Sequence, residues 1–280
     1  MDGDLGDFLR SRRGRIRPEE VGLPSYGRRR VPGLRREEVA QLAGVSVDYY
    51  VRLEQGRGQR VSDSVLDAIA RVLRLDETEH TYLRTVARPR RRGPRRPEAA
   101  RVRPGVQTLL DSMDRTPAFV IGPRMDVLAW NSLADALNGY GDTAPEDRNI
   151  PRHVFLDPAS HDLYPDWPGI AAQAVAHLRL NAGHRPDDPE LDALVGELCG
   201  RSEDFRRLWT DHDVQACMAG TKRIDHPLAG LLSLPFETLT VPTDPEQTVV
   251  VYTPERGSET AERLAMLGSW AAAEGLHTAR

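Results

Sequence analysis

Lysine, cysteine and long apolar runs are what this 280-residue sequence has least of. Two cysteines, Cys199 and Cys217, are too few for a disulfide framework or a zinc cluster. No apolar stretch approaches the roughly 18–20 residues that a membrane helix needs. Runs such as 118–122 and 249–252 are of strand length. The opening residues, MDGDLGDFLRSRR, lack the apolar core of a secretory signal, so a soluble cytoplasmic protein with no membrane partner is expected. Enzyme signatures are missing too: there is no GxSxG, HExxH, Walker loop or GxGxxG. His212, beside Asp211 and Asp213, has no second His or Cys at ligand spacing, which leaves it as surface charge. Neither a metal, a cofactor nor an enzyme activity is expected. Lys222 is the only lysine. Arginine usage this one-sided reflects coding composition more than mechanism, so the positions of arginines are weighed, not their number.

What is present is a charge asymmetry. The formal net charge is −4, but residues 1–104 carry 24 Arg against 15 Asp and Glu, a net of +9, and the remainder carries −13. A basic first half suits a polyanion such as nucleic acid. A hydrophobic fraction of 39% supports packed cores, and the length suits about two domains.

Helical spacing predicts a five-helix all-α module over residues 1–87. Its helices fall at 5–17, at 35–43, from a Ser46 cap to about 55, after Ser62 or Asp63, and at 77–87. A Pro/Gly-rich loop at 18–33 holds Arg28, Arg29 and Arg30. Residues 88–104, with eight arginines and four prolines, read as an extended linker. From 105 to 280 the pattern is α+β with an antiparallel sheet: strands at 118–121, 127–129, 214–224, 230–241 and 248–252 flank a helical insert at 167–182, 189–199 and 202–209. Asn131 caps a helix, and a last helix spans about 258–273.

Within the first module, LRREEVAQLAGVSVDYYVRLEQG (34–56) has the parts of a helix-turn-helix. Ala40 is small, Gly44 suits a left-handed turn, and Val45, Tyr50 and Leu53 anchor the third helix inward. Val47, Asp48, Tyr49 and Arg52 are left to face a major groove, where Asp accepts from cytosine and Val or Tyr meets a thymine methyl. Arg35, Arg36 and Ser46 stand at helix starts, which favour phosphate. Arg57 and Arg60 are further phosphate candidates, and Arg28–Arg30 a candidate minor-groove arm. The expected partner is a double-stranded DNA operator bound by a homodimer, because one such module reads a half-site. The blander alternative is a helical bundle without DNA contact.

Residues 5–87 resemble the helix-turn-helix domain of the XRE family, the Cro and lambda-repressor type. The stretch PEEVGLPSYGRRRVPGLRREEVAQLAGVSVDYYVRLEQGRG is similar to a branch of it that carries a C-terminal MmyB-like ligand-binding domain. VLAWNSLADAL, FRRLW with HDV, and HPLAGLLSL resemble that second domain. The resemblance implies a transcriptional regulator with a PAS-like C-terminal fold that binds small apolar ligands such as fatty acids. Two positions depart from the XRE pattern. Tyr50 replaces a compact aliphatic, its hydroxyl expected to reach the module's edge. Arg36 replaces a common Gln, which removes any carried-over base preference. Candidate pocket residues are Phe119, Trp130, Asn131, Phe155, Trp209, Phe236 and Tyr252, with ordinary core, and a helix cap for Asn131, as the competing role. A ligand-free protein-interaction module and a cryptic enzyme on a small metabolite stay open as alternatives for the second domain.

Overall fold

The computed structural model describes residues 3–24, 33–57, 61–88, 101–214 and 219–278. Arg28, Arg29, Arg30 and Arg60, most of the expected linker and residues 215–218 of the strand expected at 214–224 lie outside these residues. Among them no helix is long and apolar enough to cross a membrane. They fold as two compact units that are not two consecutive stretches. Residues 1–93, 179–192 and 207–216 form the first, and 94–178, 193–206 and 217–280 the second.

The first unit contains α1 (Gly3–Arg15), a 3-10 turn (Pro18–Val21), α2 (Arg36–Ala43), α3 (Val47–Glu54), α4 (Asp63–Val72) and α5 (Glu77–Ala87). Caps fix the starts of the last three. The Ser46 hydroxyl accepts from the Tyr49 amide, Ser62 from Val65, and Asp76 from Glu79, whose carboxylate accepts from the Asp76 amide in return. Gly44, at φ +70°, ends α2 in the left-handed conformation that turns the chain into α3. Phe8, Leu9, Leu34, Val39, Tyr50, Leu53, Leu66, Ile69, Tyr82 and Leu83 form one buried core, which Val214 and Leu180 join from the two later segments.

The second unit opens with α6 (Pro104–Asp111), β1 (Ala118–Ile121), β2 (Val127–Trp130) and α7 (Ser132–Asn138). A 3-10 turn (Pro145–Asp147), α8 (Ile150–Leu156) and α9 (Ser160–Leu163) follow. Neither α8 nor α9 is foreseen by periodicity, because each is too short to show a period. α10 (Trp167–His184), α11 (Pro189–Arg201) and α12 (Glu203–Thr210) come next, and the boundaries between the units fall inside these three helices. β3 (Ala219–His226), β4 (Gly230–Val241), β5 (Asp244–Tyr252) and α13 (Glu259–Thr278) complete it. The five strands form one antiparallel sheet in the order β2-β1-β5-β4-β3.

Register divides the sheet into two unlike faces, since directly paired residues point the same way. Ala118, Val120, Ala129, Val249 and Val251 share one face and pack with Leu110 of α6, and the buried Gln247 of β5 alternates onto the same face. The pairs Phe119–Trp130, Phe119–Val250, Phe236–Tyr252 and Lys222–Leu234 place the aromatics and the lone lysine together on the other.

Gly183 of α10 makes the first unit's composition testable. A Cβ there would come within 2.3 Å of the Tyr82 ring, itself buried and edge-on to Phe8 at 5.0 Å. Helix propensity alone favours Gly183→Ala by about 1 kcal/mol, whereas overpacking costs about 1–3 kcal/mol. Chemical denaturation of Gly183→Ala is expected to show net destabilisation. A stabilised variant would mean that α10 does not pack on Tyr82.

Candidate functional site

Two sites emerge, one in each unit. The first is built on α3. Its inner residues, Tyr50 and Leu53, are fully buried, while Ser46, Val47, Asp48 and Arg52 are exposed and Tyr49 is half-buried. Val47 is 43% exposed. Arg35 and Arg57 are exposed as well. The sequence-predicted reading residues that are described therefore share the outward side of one helix and its flanks.

Glu54 holds that helix in place. Its carboxylate is fully buried and accepts from Arg13 Nε of α1 at 2.6 Å and from Arg36 Nε of α2 at 2.7 Å. Arg13 also donates to the Leu34 carbonyl at 2.8 Å. Burial alone would raise the Glu54 carboxyl, but the bonds from Arg13 and then Arg36 outweigh it and hold it below the usual range. Three helices are thus tied at one carboxylate. Sequence reading took Glu54 only as a helix end and missed Arg13, whose role depends on how α1 crosses α3. Arg36 remains half-exposed while bonded to Glu54, so it braces the motif besides being available to a phosphate. The Tyr50 hydroxyl does not reach the module's edge: it is shielded from solvent near Glu54 and Arg13, and burial drives its pKa up.

His212 and Asp213 are likewise not simple surface charge. Asp213 pairs with Arg12 at 3.2 Å and Arg15 at 2.6 Å, and Arg12 also pairs with Glu79 at 2.7 Å. Arg179, fully buried, stacks 4.0 Å over Trp209 and meets His212 Nδ1 at 3.0 Å. Burial and then the Arg179 charge push His212 down to about 4. Trp209 thus belongs to the first unit, apart from the other residues expected to line a pocket.

Those others split further. Phe119, Trp130, Phe236 and Tyr252 join into one aromatic layer, bridged by Tyr140, which lies 5.6 Å from Phe119 and 5.5 Å from Trp130. Phe155 sits elsewhere, edge-on to Phe205 at 5.1 Å and Trp167 at 5.8 Å. Asn131 has a different job. Its Oδ1 accepts from the Ala118 and Ala134 amides, and its Nδ2 faces the carbonyls of Leu110, Met113 and Thr116. That leaves its amide no capacity for a ligand.

Beside the aromatic layer, on the same sheet face, lies a residue that the sequence did not single out for this role. Lys222 projects from the inner side of β3, 5.7 Å from the Phe236 ring centre. Its charge acts on Tyr164, His153 and His177. Burial raises Tyr164 to about 12, against the pull of Lys222. Burial, then Lys222, lowers His177 to about 4. His153 is lowered by burial despite its 3.2 Å pair with Asp157. Tyr140 and His177 are half-buried. Among the described residues no group of His, Cys, Asp and Glu could hold a metal ion.

A family described as the MmyB-like transcription regulator ligand binding domain matches residues 102–267, and one described as a helix-turn-helix domain matches residues 4–83. No curated relative matches the chain.

Glu54 generates a prediction for the first unit. Glu54→Ala leaves Arg13 without its buried partner and is expected to destabilise by about 3–5 kcal/mol in denaturant titrations. Because the folded Glu54 pKa is lowered, its contribution is complete above the unfolded carboxyl pKa of about 4.3 and fades as pH falls through the folded value. The stability gap between wild type and Glu54→Gln should therefore be widest at neutral pH and shrink below about pH 4. A gap independent of pH would remove the ionised bridge.

Proposed function

The chain belongs to the family of MmyB-like transcription regulators, and from this premise we propose how it reads DNA and what it answers to. It is a DNA-binding transcription regulator. In our reading, α3 enters the major groove with Val47, Asp48, Tyr49 and Arg52 toward base edges, and Arg35, Arg36, Ser46 and Arg57 hold flanking phosphates. The observation that carries this is the Glu54 bridge, which fixes α3 on α1 and α2 while leaving its other side open. We propose Arg60 as a further phosphate contact and Arg28–Arg30 as a minor-groove arm, from the sequence alone. The cytoplasmic protein acts as a homodimer on two half-sites about 34 Å apart.

The second unit answers a small, largely apolar ligand, of which the aromatic layer of Phe119, Trp130, Tyr140, Phe236 and Tyr252 forms a wall. The ligand changes operator affinity by favouring either the DNA-competent state or the incompetent one. No catalytic step is assigned to this unit.

Operators selected in vitro from random DNA are expected to be inverted repeats. In gel shifts, Arg35→Ala should weaken all sequences alike and lower the salt slope by about one unit. Asp48→Ala and Tyr49→Ala should instead relax discrimination at single base pairs, by about 1–3 kcal/mol. Unchanged binding in the combined Arg35→Ala, Arg52→Ala variant would refute the placement of α3. Selection of a non-repeated site would refute the homodimer.

A further inference from the structure

We propose that residues 211–213, which follow α12, act as a strap that positions the DNA-reading helix through α1, with Asp213 as the positioning residue. The proposal rests on the α3 reading above and adds a control point outside residues 4–83, the part of the chain that matches the helix-turn-helix family.

The strap belongs to the first unit and grips one side of α1. Asp213 accepts from Arg15 at 2.6 Å and from Arg12 at 3.2 Å. The Asp211 carbonyl accepts from the Ser11 hydroxyl at 2.8 Å and from Arg15 at 3.0 Å, and the His212 carbonyl accepts from Arg12 at 3.0 Å. Three successive residues thus turn an acceptor to the same helix. His212 does so at φ +54°, in the left-handed region that favours glycine. Strain of this kind persists only where the surroundings over-determine the conformation. Here they do: the His212 ring meets Arg179 of α10 at 3.0 Å, Arg179 stacks 4.0 Å over Trp209 of α12, and Val214 is buried in the core of the unit.

Helix α1 carries the grip to the motif. Residues 11 and 15 lie about one turn apart on it, and residue 13 points about 200° from both. From that other side Arg13 bonds Glu54, and the Arg13 carbonyl accepts from the Leu34 amide at 3.1 Å, just before α2. Gly6 brings the α1 backbone against the end of α3: a Cβ there would come within 2.1 Å of the Glu54 carbonyl oxygen. Close backbone packing and directional ion pairs transmit a displacement, because neither deforms cheaply. Releasing the strap frees α1 to move on Glu54, and α3 loses the fixed pose on which base reading depends. Phosphate contacts carry no sequence information, so the loss falls on discrimination between sequences.

The test uses the full chain, with Asp213→Ala, Arg15→Ala and the double variant. Each is titrated at one salt concentration against the operator selected in vitro and against a random duplex. Asp213 and Arg15 are both half-exposed, so the variants are expected to fold. Asp213→Ala removes a negative charge, and electrostatics alone would tighten binding to either DNA. Positioning predicts the opposite for the operator: about five- to twenty-fold weaker binding, with the random duplex bound no more weakly than by wild type. A smaller folded fraction would weaken both DNAs equally, so the ratio of the two affinities isolates positioning. Arg15→Ala should lower that ratio as well, and the double variant should lower it no further than the larger single loss. A ratio unchanged by Asp213→Ala, or losses that multiply in the double variant, would overturn the strap. The α3 reading would then still stand if Arg35→Ala weakens binding to both DNAs. If the wild type selects no operator, both fall together.

Discussion

A carboxylate that water does not reach sets the geometry of the DNA-reading module. Glu54 closes α3 and takes Arg13 of α1 and Arg36 of α2 at hydrogen-bond distance. A buried charge is costly unless it is paired and bonded, so the three helices have few other ways to sit. Apolar packing alone tolerates sliding of one helix on another. A bond between a planar guanidinium and a carboxylate does not, because it is directional. The exposed side of α3 is thereby aimed by an interaction on its opposite side.

The second unit divides its labour by the two faces of one sheet. Beneath α6 the face is mostly hydrocarbon, from Ala118 and Val120 to Val249 and Val251, with the buried amide of Gln247 beside them. The opposite face carries Phe119, Trp130, Phe236, Tyr252 and Lys222. A period of two along each strand separates the two faces, one packed under α6 and one aromatic. Asn131 holds the two strands nearest α6 in register from its buried position, which is a reason for an amide there that has nothing to do with a ligand.

Much of this was legible in the amino-acid order, and the limits have physical causes. The five helices of the module, the Ser46 cap, the Gly44 turn and the outward set on α3 follow from local rules of spacing and capping. The β1–β2 hairpin and the span of β4 also follow from local patterning. What was not legible depends on non-local pairing. Arg13 gains its role only once α1 crosses α3. Trp209 looked like one more aromatic of the second half, yet it packs on Arg179 in the first unit. Lys222 was conspicuous for its rarity, but its significance comes from strand register, which places it opposite Leu234 and beside Phe236.

The first unit draws on residues far apart in the chain, and this bears on how it is made. The Arg12–Asp213 bond spans 201 positions, and Val214 belongs to the same core as Phe8. A ribosome delivers roughly 5–20 residues each second, so about ten seconds or more separate emergence of the first helix from emergence of its last partner. During that interval Arg12 and the Tyr82 surface stand without the groups that finally cover them. Closing so long a loop is entropically cheap relative to its length, since the cost grows only with the logarithm. It cannot happen early, however. The nascent helix-turn-helix reaches its completed form only when most of the ligand domain has already been synthesised.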